Sequence, residues 1–298
     1  MPAENSWLGI HSADLHAAID PLGAQLSVLR DAHDRDLLWD GNPAVWNGRA
    51  PILFPIVGML VRGQYRLGER HYTMMRHGFA RHSLFTVLSH TATAAVFRLT
   101  QNPDTLAVYP FRFALELEFA IQGPRLAINA EVRNTGDAPL PASLGFHPAL
   151  RWPLAGNASR AGHFIEFEQD EPEPLRQLDD NGLLQTARIP TPVRNRRLDL
   201  ADALFTHDAL IFDRIRSRSV IYGAAHGPRV QVSFPGVPYL GIWSKPGAGF
   251  VCIEPWAGIT DEAGYDGDIY GRIGGFVVPP GGTHRVGMTI SLSGPEGA

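Results

Sequence analysis

A long period-two alternation of apolar and polar residues is the feature that most limits what this chain can fold into. Charged or small residues occupy every second position after Phe111, and the apolar positions between them are Phe111, Phe113, Leu115, Leu117, Phe119 and Ile121. Because successive side chains of a β-strand point to opposite faces, this pattern predicts a strand with one buried and one solvated face. Such strands are typical of antiparallel sheets.

A second run of the same period follows at once, after a Gly123-Pro124 turn, with apolar positions Leu126, Ile128, Ala130 and Val132. Two alternating runs joined by a short turn predict a β-hairpin. Comparable runs cover residues 230–234 and 286–292, and turn-forming residues recur at 134–137, 180–182 and 279–282.

Long amphipathic helices are scarce, and only residues 199–205 predict a short helical turn. The 31 glycines and 24 prolines fit many short strands joined by turns. We therefore expect an all-β fold, a large antiparallel β-sandwich. A length of 298 residues permits one large all-β domain over residues 1–298. The polar stretch at about 155–197 is interpreted as loops and edge strands within that domain, because candidate site residues lie on both sides of it.

The charge balance and the apolar segments give no sign of a nucleic acid or membrane partner. A net charge of −4 and a pI of about 6.3 give no reason to expect a nucleic acid or membrane partner. The longest apolar stretch, residues 51–60, contains two prolines and a glycine and is too short to span a bilayer. The first residues lack the basic and apolar pattern of a secretory signal, so we expect a cytoplasmic location.

Cofactor and metal motifs are absent from the sequence. The only cysteine is Cys252, which excludes an internal disulfide and any cysteine-rich metal site. There is no Gly-rich phosphate loop, no G-x-S-x-G and no H-E-x-x-H. We expect no cofactor and no metal, although a zinc site built from distant residues such as His77, His147 and Glu254 remains an alternative.

A carboxylate stands at the end of an apolar strand near the C-terminus. Glu254 lies in the sequence GFVCIEPWAG, and alternation places Phe250, Cys252 and Trp256 on its face of the strand. An ionised carboxylate in apolar surroundings needs a partner or a shifted pKa. Glu254 is therefore a candidate general base or acid, and the alternative is a buried ion pair with an arginine.

Two histidines stand in unusual local settings. His147 precedes a proline in SLGFHP, which favours an extended backbone at a strand end, and its ordinary pKa permits proton exchange near neutrality. His77 lies in RHGFAR, where nearby arginines favour the neutral imidazole, a hydrogen-bonding partner for a hydroxyl. The alternatives are a structural histidine bonded to a backbone carbonyl for His147, and a basic surface loop for His77.

Two further charged residues lie beside apolar segments. Arg49 enters the Pro-rich segment GRAPILFP, where a guanidinium needs a partner such as a carboxylate or a substrate hydroxyl. Asp208 precedes the apolar run ALIF, and its alternative role is to cap a turn.

Taken together, these motifs resemble the aldose 1-epimerase (galactose mutarotase-like) family, most closely its bacterial LacX-like branch. The resemblance rests on five segments in the family's order: Arg49 in GRAPILFPIVG, His77 in HGFAR, His147 in GFHP, Asp208 in HDALIF and Glu254 in CIEPW. It implies a β-supersandwich with an open cleft on one sheet. It also implies catalysis without a cofactor or a metal.

The resemblance implies a role for each of these residues. Glu254 corresponds to the general base that takes the proton from the anomeric hydroxyl of an aldose, and His147 to the general acid that protonates the ring oxygen. His77, Asp208 and Arg49 correspond to groups that orient the sugar. Ring opening followed by closure from the other face would interconvert the α and β anomers.

Other functions and details stay open. Arg76, Arg81 and Arg49 are also suited to a sugar phosphate, as in the related hexose-6-phosphate mutarotases. A non-catalytic carbohydrate-binding β-sandwich would keep the cleft without needing Glu254 and His147 together. The expected partner is a small sugar, bound by a monomer or homodimer. Trp243, Trp256 and Phe79 are the candidates for stacking on it.

Overall fold

The computed structural model describes residues 6–157 and 159–293, and strands dominate this part of the chain. In chain order the strands are β1 (Leu8–His11), β2 (Leu15–Asp20), β3 (Gln25–Asp31), β4 (Ile52–Leu53), β5 (Gln64–Leu67), β6 (Arg70–Thr73), β7 (Thr86–His90), β8 (Ala94–Thr100), β9 (Phe113–Gln122), β10 (Arg125–Asn134), β11 (Leu140–Ala142), β12 (Leu144–Phe146), β13 (Ala149–Arg151), β14 (Phe164–Phe167), β15 (Leu175–Leu178), β16 (Leu184–Ile189), β17 (Arg197–Asp199), β18 (Leu210–Phe212), β19 (Ser219–Gly223), β20 (Arg229–Ser233), β21 (Tyr239–Trp243), β22 (Phe250–Ala257), β23 (Phe276–Val278) and β24 (Thr283–Ser293).

Between residues 6 and 293, apart from position 158, helical structure is limited to short segments. One α-helix, α1 (Pro103–Val108), begins at Asn102, whose side chain accepts a hydrogen bond from the backbone N–H of Thr105, and Pro103 occupies the first turn. The sequence analysis did not anticipate this helix. The remaining segments are 3₁₀ turns at Val61–Gly63, Ala80–His82, Asp202–Phe205 and Ile269–Gly271. The third of these lies within the turn expected at residues 199–205.

Two large sheets make up most of the molecule, and the expected antiparallel β-sandwich is confirmed. One sheet has nine strands in the order β17-β14-β19-β20-β24-β10-β9-β8-β7. The other has eight, in the order β16-β15-β18-β21-β22-β12-β4, with β13 also paired to β22. Smaller sheets are formed by β1-β2-β3, by β5-β6 and by β11-β23.

The predicted hairpin lies in the middle of the nine-stranded sheet. β9 and β10 pair antiparallel from the Gln122–Arg125 pair outward, as the Gly123-Pro124 turn requires. The phenylalanines, leucines and isoleucine of β9 are buried, whereas Glu118 is exposed and Glu116 is half-buried. The alternation in the sequence therefore distinguishes the core face of this sheet from its outer face.

The main core lies between the two large sheets. Its cluster includes Leu117 and Ile128 from the nine-stranded sheet, and Val251 and Ile253 from the eight-stranded sheet. The described part of the stretch at 155–197 supplies β14, β15, β16 and part of β17, which pair toward one end of each large sheet. This stretch therefore contributes strands to both sheets.

β22 is the strand that positions the candidate site. All eight of its residues are buried. Val251 and Ile253 join the main core, whereas Phe250 and Cys252 join a separate apolar cluster on the opposite face of the eight-stranded sheet. Because β22 is buried on both faces, the Glu254 carboxyl has no bulk water around it. It must find its polar partners within the protein or shift its pKa.

A buried ion pair between Arg272 and Asp261 connects loops next to this sheet. Arg272 donates from Nε to Asp261 at 2.7 Å and from Nη2 to the carbonyls of Val57 and Ile259 at 3.2 and 3.0 Å. The other carboxylate oxygen of Asp261 accepts from the N–H of Val61 at 3.2 Å. These contacts tie the 57–61 segment to the chain that follows β22.

We expect Arg272→Ala to destabilise the protein by roughly 3–5 kcal/mol, because it leaves the Asp261 carboxylate buried without its cation. Arg285→Ala is the matched control, since Arg285 pairs with Glu131 on the surface with 80% of its side chain exposed, and such pairs contribute only about 0–1 kcal/mol. Urea denaturation of both variants measures the difference. Equal losses in the free energy of unfolding of the two variants would show that the buried pair does not stabilise the fold.

Candidate functional site

A pocket of about 200 Å³ opens on the face of the eight-stranded sheet that is turned away from the main core. Polar and aromatic side chains from distant parts of the chain converge there. The lining residues are Trp46, Val57, Gly58, Arg76, His77, Arg81, His147, Leu178, Gly182, Asp208, Ala209, Ile211, Trp243, Glu254, Trp256 and Thr260.

Strand register brings Glu254 and His147 together at the base of the pocket. β12 pairs with β22 through Gly145 and Trp256, and β13 pairs with it through Ala149 and Cys252. His147 lies midway between the two pairs and therefore opposite Glu254. Its Nε2 atom is 3.2 Å from Oε2 of Glu254, and their side chains are 9% and 2% exposed.

Burial shifts the pKa values of Glu254 and His147 in opposite directions. Loss of water raises the pKa of the Glu254 carboxyl well above its usual range, Asp208 adds to the increase, and Arg76 opposes it. Burial also lowers the pKa of His147 to about 3, with Arg81 and Arg76 contributing, although a backbone hydrogen bond opposes the decrease. Burial therefore favours a neutral carboxyl on Glu254 and a neutral imidazole on His147, and it would make the ionised Glu254 a strong base and the protonated His147 a strong acid.

His77 lies beside this pair with a defined tautomer. Burial, together with Arg76, His147 and Arg81, holds the pKa of His77 well below its ordinary value, so its ring is neutral. The N–H of Gly58 points at Nδ1 at 3.1 Å and Nε of Arg76 at Nε2 at 3.2 Å. A neutral imidazole has only one acceptor nitrogen, so the two contacts cannot both be hydrogen bonds.

The backbone contact decides between them. The Gly58 N–H is buried and has no other partner among the described residues, whereas Arg76 has 47% of its side chain exposed and lies 3.7 Å from Asp208. An unsatisfied buried N–H is costly. Nδ1 of His77 therefore accepts from Gly58, and Nε2 carries the proton on the side facing Arg76.

Asp208 lines a more exposed part of the pocket. Its side chain is 35% exposed, its Oδ2 atom lies 3.7 Å from Arg76 Nη2, and its Oδ1 accepts from the N–H of Ala209 at 2.8 Å. His77 and Asp208 both have a left-handed backbone, with φ of 67° and 70°. Strained backbone of this kind clusters at functional sites and persists only where the surroundings enforce it.

Arg49 is placed differently from the other four residues singled out in the sequence. It does not line the pocket. Its Nη1 donates to the carbonyl of Ser27 at 2.7 Å, and its guanidinium lies 4.9 Å from the centre of the Trp7 ring. The guanidinium thus belongs to a neighbouring cleft, because the chain turns away from the pocket between Trp46 and Arg49.

The sequence analysis anticipated only some of the aromatic residues that line the pocket. Trp243 and Trp256 line the pocket, but Phe79 packs in the core against Phe54 and Phe113. The Trp256 indole lies over Gly241, where a Cβ would come within 2.3 Å of the ring, so only glycine fits there.

Trp46 is the residue that the sequence analysis missed. It stacks on His147 with ring centres 5.1 Å apart and 27° between the planes. Its position three residues before Arg49 was the available signal, but local sequence does not show which residue of that segment turns inward. Leu178, at the end of β15, and the loop residues Gly182 and Thr260 were also missed, because their position at the pocket depends on tertiary packing.

The donor atoms nearest to a metal site belong to the same cluster. Among the described residues, His147, Cys252 and Glu254 form the one trio of possible ligands within 4.8 Å of one another. Burial, with Glu254 nearby, raises the pKa of the Cys252 thiol well above its usual range. A thiol binds a metal as the thiolate, so Cys252 is a poor ligand in this cluster.

Comparison with known proteins decides the family. The model of the aldose 1-epimerase family matches residues 8–265, which cover most of the chain. The chain belongs to the aldose 1-epimerase family. It is accordingly an isomerase, a mutarotase with a sugar as substrate.

Relatives of this aldose 1-epimerase support the assignment. The plasmid-encoded protein LacX of Lactococcus lactis subsp. lactis is 32% identical over 249 residues, which cover 80% of this chain and 83% of LacX. A galactose mutarotase related enzyme from Lactobacillus acidophilus superposes with a TM-score of 0.91 at 29% identity, covering 97% and 98% of the two chains.

A galactose mutarotase-like protein from Lactobacillus casei superposes on this aldose 1-epimerase with a TM-score of 0.89 at 28% identity, covering 96% of this chain and 100% of that one.

None of the helices in residues 6–157 and 159–293 has the length and apolar character needed to cross a bilayer.

We expect Glu254→Gln to stabilise the protein increasingly as pH rises above about 4.5. The folded state raises the pKa of Glu254, so it binds more protons than the unfolded state, and the stability of the wild type falls as the carboxyl ionises. Glutamine resembles the neutral acid and removes this dependence. Thermal melts from pH 4.5 to 8.5 measure the gap between variant and wild type, and a constant gap would contradict the shift.

Proposed function

We propose that the protein is a mutarotase for a free aldose, with Glu254 as general base and His147 as general acid. The observation that carries the proposal is the contact of 3.2 Å between Nε2 of His147 and Oε2 of Glu254 at the base of a pocket. Ring opening of a cyclic aldose requires removal of the proton from the anomeric hydroxyl and delivery of a proton to the ring oxygen.

The geometry fits that pair of transfers. The anomeric hydroxyl and the ring oxygen are bonded to the same carbon, so their proton-transfer partners must also be close neighbours. Two groups a hydrogen-bond length apart, one on β22 and the other in the segment between β12 and β13, meet this requirement. A ring held above the pair presents one oxygen to the carboxylate and the other to the imidazole.

The protonation states balance through the cycle. In the ring-opening step Glu254 gains the hydroxyl proton, His147 loses its proton to the ring oxygen, the C1–ring oxygen bond breaks and an aldehyde forms. Rotation about the C1–C2 bond followed by closure returns both protons and gives the other anomer. Burial favours the neutral carboxyl and neutral imidazole that exist after opening, so it lowers the population of the ionised pair that starts the step and favours both transfers once that pair has formed.

Other pocket residues supply binding. His77 presents the N–H at Nε2 to a sugar hydroxyl oxygen, while Asp208 and Arg76 accept from and donate to further hydroxyls. The indoles of Trp243 and Trp256 offer apolar faces to the C–H side of the ring. Arg49 lies outside this pocket, so its proposed contact to the reacting sugar is replaced by Arg76 or Arg81.

Glu254→Gln should lower the enzyme-catalysed rate of anomer exchange by at least about 100-fold, because it removes the proton acceptor but keeps the size and polarity of the side chain. Polarimetry of freshly dissolved α-glucose and α-galactose measures the rate, and calorimetry checks that the sugar still binds. Glu131→Gln, on the outer face of the nine-stranded sheet, is the control.

A fully active Glu254→Gln variant would exclude Glu254 as the base. Sugar binding without acceleration of any aldose by the wild type would favour a non-catalytic carbohydrate-binding protein.

A hexose 6-phosphate mutarotase is the second candidate, because two cations line the pocket. Arg81 has no carboxylate within ion-pair distance among the described residues, and Arg76 pairs only with the partly exposed Asp208. Planar guanidinium groups bind phosphate bidentately. A kcat/KM for glucose 6-phosphate that exceeds that for glucose, and that falls in Arg81→Gln, would favour this candidate over the free aldose.

We further propose that the protein acts in the cytoplasm as a monomer or homodimer. The family assignment supports a small sugar as partner. The charge balance of the chain supports neither a nucleic acid nor an anionic membrane as a partner. Light scattering of the purified protein measures its oligomeric state.

A further inference from the structure

The imidazole of His147 is enclosed by the rings of two tryptophans. Trp46 stacks on it with ring centres 5.1 Å apart and 27° between the planes. Trp243 meets it nearly at right angles, with ring centres 5.9 Å apart and 83° between the planes. His147 itself is 7% exposed. The surroundings of the proposed proton donor are therefore aromatic faces and edges, with little access for water.

The stacked indole is fixed in place by its own neighbours. The backbone carbonyl of Trp46 accepts a hydrogen bond from Nε1 of Trp39 at 2.9 Å, and its ring packs against Phe250 with centres 5.2 Å apart. A Cβ at Gly48 would come within 2.4 Å of the same ring, so the chain can pass there only as glycine. The geometry between Trp46 and His147 is therefore built into the fold and does not await a ligand.

Hydrogen bonds provide for only one nitrogen of His147. An imidazolium carries a proton on both ring nitrogens. Nε2 lies 3.2 Å from Oε2 of Glu254, but Nδ1 is buried and has no hydrogen-bond partner among the residues that the structure describes. Burial lowers the pKa of the ring, and the backbone of His147 raises it only from outside hydrogen-bond geometry. The carbonyl or carboxylate that often binds the second nitrogen of a functional histidine is missing.

The cations near His147 oppose its protonation. Arg81 and Arg76 both lower the pKa of the ring, in addition to the effect of burial. Within the described ranges, Glu254 is the one acid within ion-pair distance of it. The charged and titratable groups around the ring are Glu254 and Cys252 on β22, Arg76 and His77 after β6, Arg81 in the 3₁₀ turn that follows, and Asp208 before β18.

An aromatic face is the remaining source of stabilisation for a charged His147. The face of an aromatic ring is electron-rich, so it attracts a cation within about 6 Å of the ring centre, and tryptophan does so most strongly. The 5.1 Å between Trp46 and His147 lies inside this limit. The contact gains strength where water is excluded, as it is around this imidazole. It favours the imidazolium over the neutral ring.

We propose that Trp46 is a positioning residue for the general acid, whose indole face stabilises the His147 imidazolium by a cation–π contact and holds its Nε2 toward Glu254. The inference rests on the proposed function, because only a proton-donating His147 has to carry a charge. During ring opening the proton leaves from Nε2 to the ring oxygen of the sugar, and Nδ1 keeps its proton.

Kinetics of two substitutions test this role. Trp46→Leu should lower kcat by roughly 3- to 10-fold, the effect of a cation–π contact at a half-buried site, and leave KM nearly unchanged, because the contact acts on the acid. Trp46→Phe keeps a weaker aromatic face and should recover part of the loss. Polarimetry with the aldose that the wild type accelerates most measures both constants. A raised KM with unchanged kcat would assign Trp46 to stacking on the sugar and overturn the proposal.

Fluorinated tryptophans at position 46 separate electrostatics from packing. Fluorine nearly preserves the size of the indole but withdraws electron density from its face, which weakens a cation–π contact. We expect kcat to fall stepwise from tryptophan through its mono-, di- and trifluorinated forms. The series also applies if Trp46→Leu fails to fold, as judged by thermal melting. Equal kcat values throughout the series would rule the contact out.

Phe250→Leu is the matched control for loosened packing. Phe250 makes ring contacts with Trp39, Trp46 and Trp243 in the same apolar cluster, and none with His147 among the described residues. This variant should melt at a lower temperature and yet keep most of its kcat. A loss of kcat as large as that in Trp46→Leu would reduce the role of Trp46 to packing.

Nuclear magnetic resonance of ¹⁵N-labelled histidine rings tests the contact without sugar or catalysis. His147→Gln identifies the signals of His147 among those of the 12 histidines. On acidification, down to the lowest pH at which the protein stays folded, the imidazolium share should be smaller in Trp46→Leu than in the wild type. That result would support the contact even if the wild type accelerates no sugar, which would overturn only the proposed function. Equal shares in the two proteins would overturn the contact.

Discussion

The antiparallel register around β22 is the constraint on which the site depends. Gly145 and Ala149 pair with Trp256 and Cys252, and the two residues between β12 and β13 leave room for one imidazole opposite Glu254. A slip of one residue would turn Glu254 toward the main core, because strand side chains alternate between faces. The same pairings that hold the eight-stranded sheet together therefore set the distance between the Glu254 carboxyl and the His147 imidazole.

Burial gives these two groups their chemistry at a cost in stability. A carboxylate on a strand with no exposed residue is poorly solvated, which makes it a better base and also makes its ionised form unfavourable. The protein relieves part of this cost with Arg76, which remains half exposed. An ionised carboxylate at this position therefore makes the protein less stable than a neutral group of the same size would.

Contacts between distant parts of the chain also hold the site residues in position. Arg272 holds the carbonyl of Val57, the next residue donates its N–H to Nδ1 of His77, and that contact sets the proton on the other nitrogen of the ring. The left-handed backbone at His77 fits the same scheme, since strain of this kind persists only where neighbours enforce it. Substitutions distant from the pocket can therefore change its hydrogen-bonding pattern.

The sequence by itself determined the class of fold and singled out four residues that line one pocket, Glu254, His147, His77 and Asp208. Period-two alternation marked the buried face of β9 and β10, and an acid flanked by apolar residues marked Glu254, because both signals are local. Tertiary structure alone decided that Trp46 faces the pocket, that Arg49 lies in the neighbouring cleft and that Phe79 belongs to the core. The physical reason is that loop paths depend on packing between residues far apart in the chain, which local patterns do not encode.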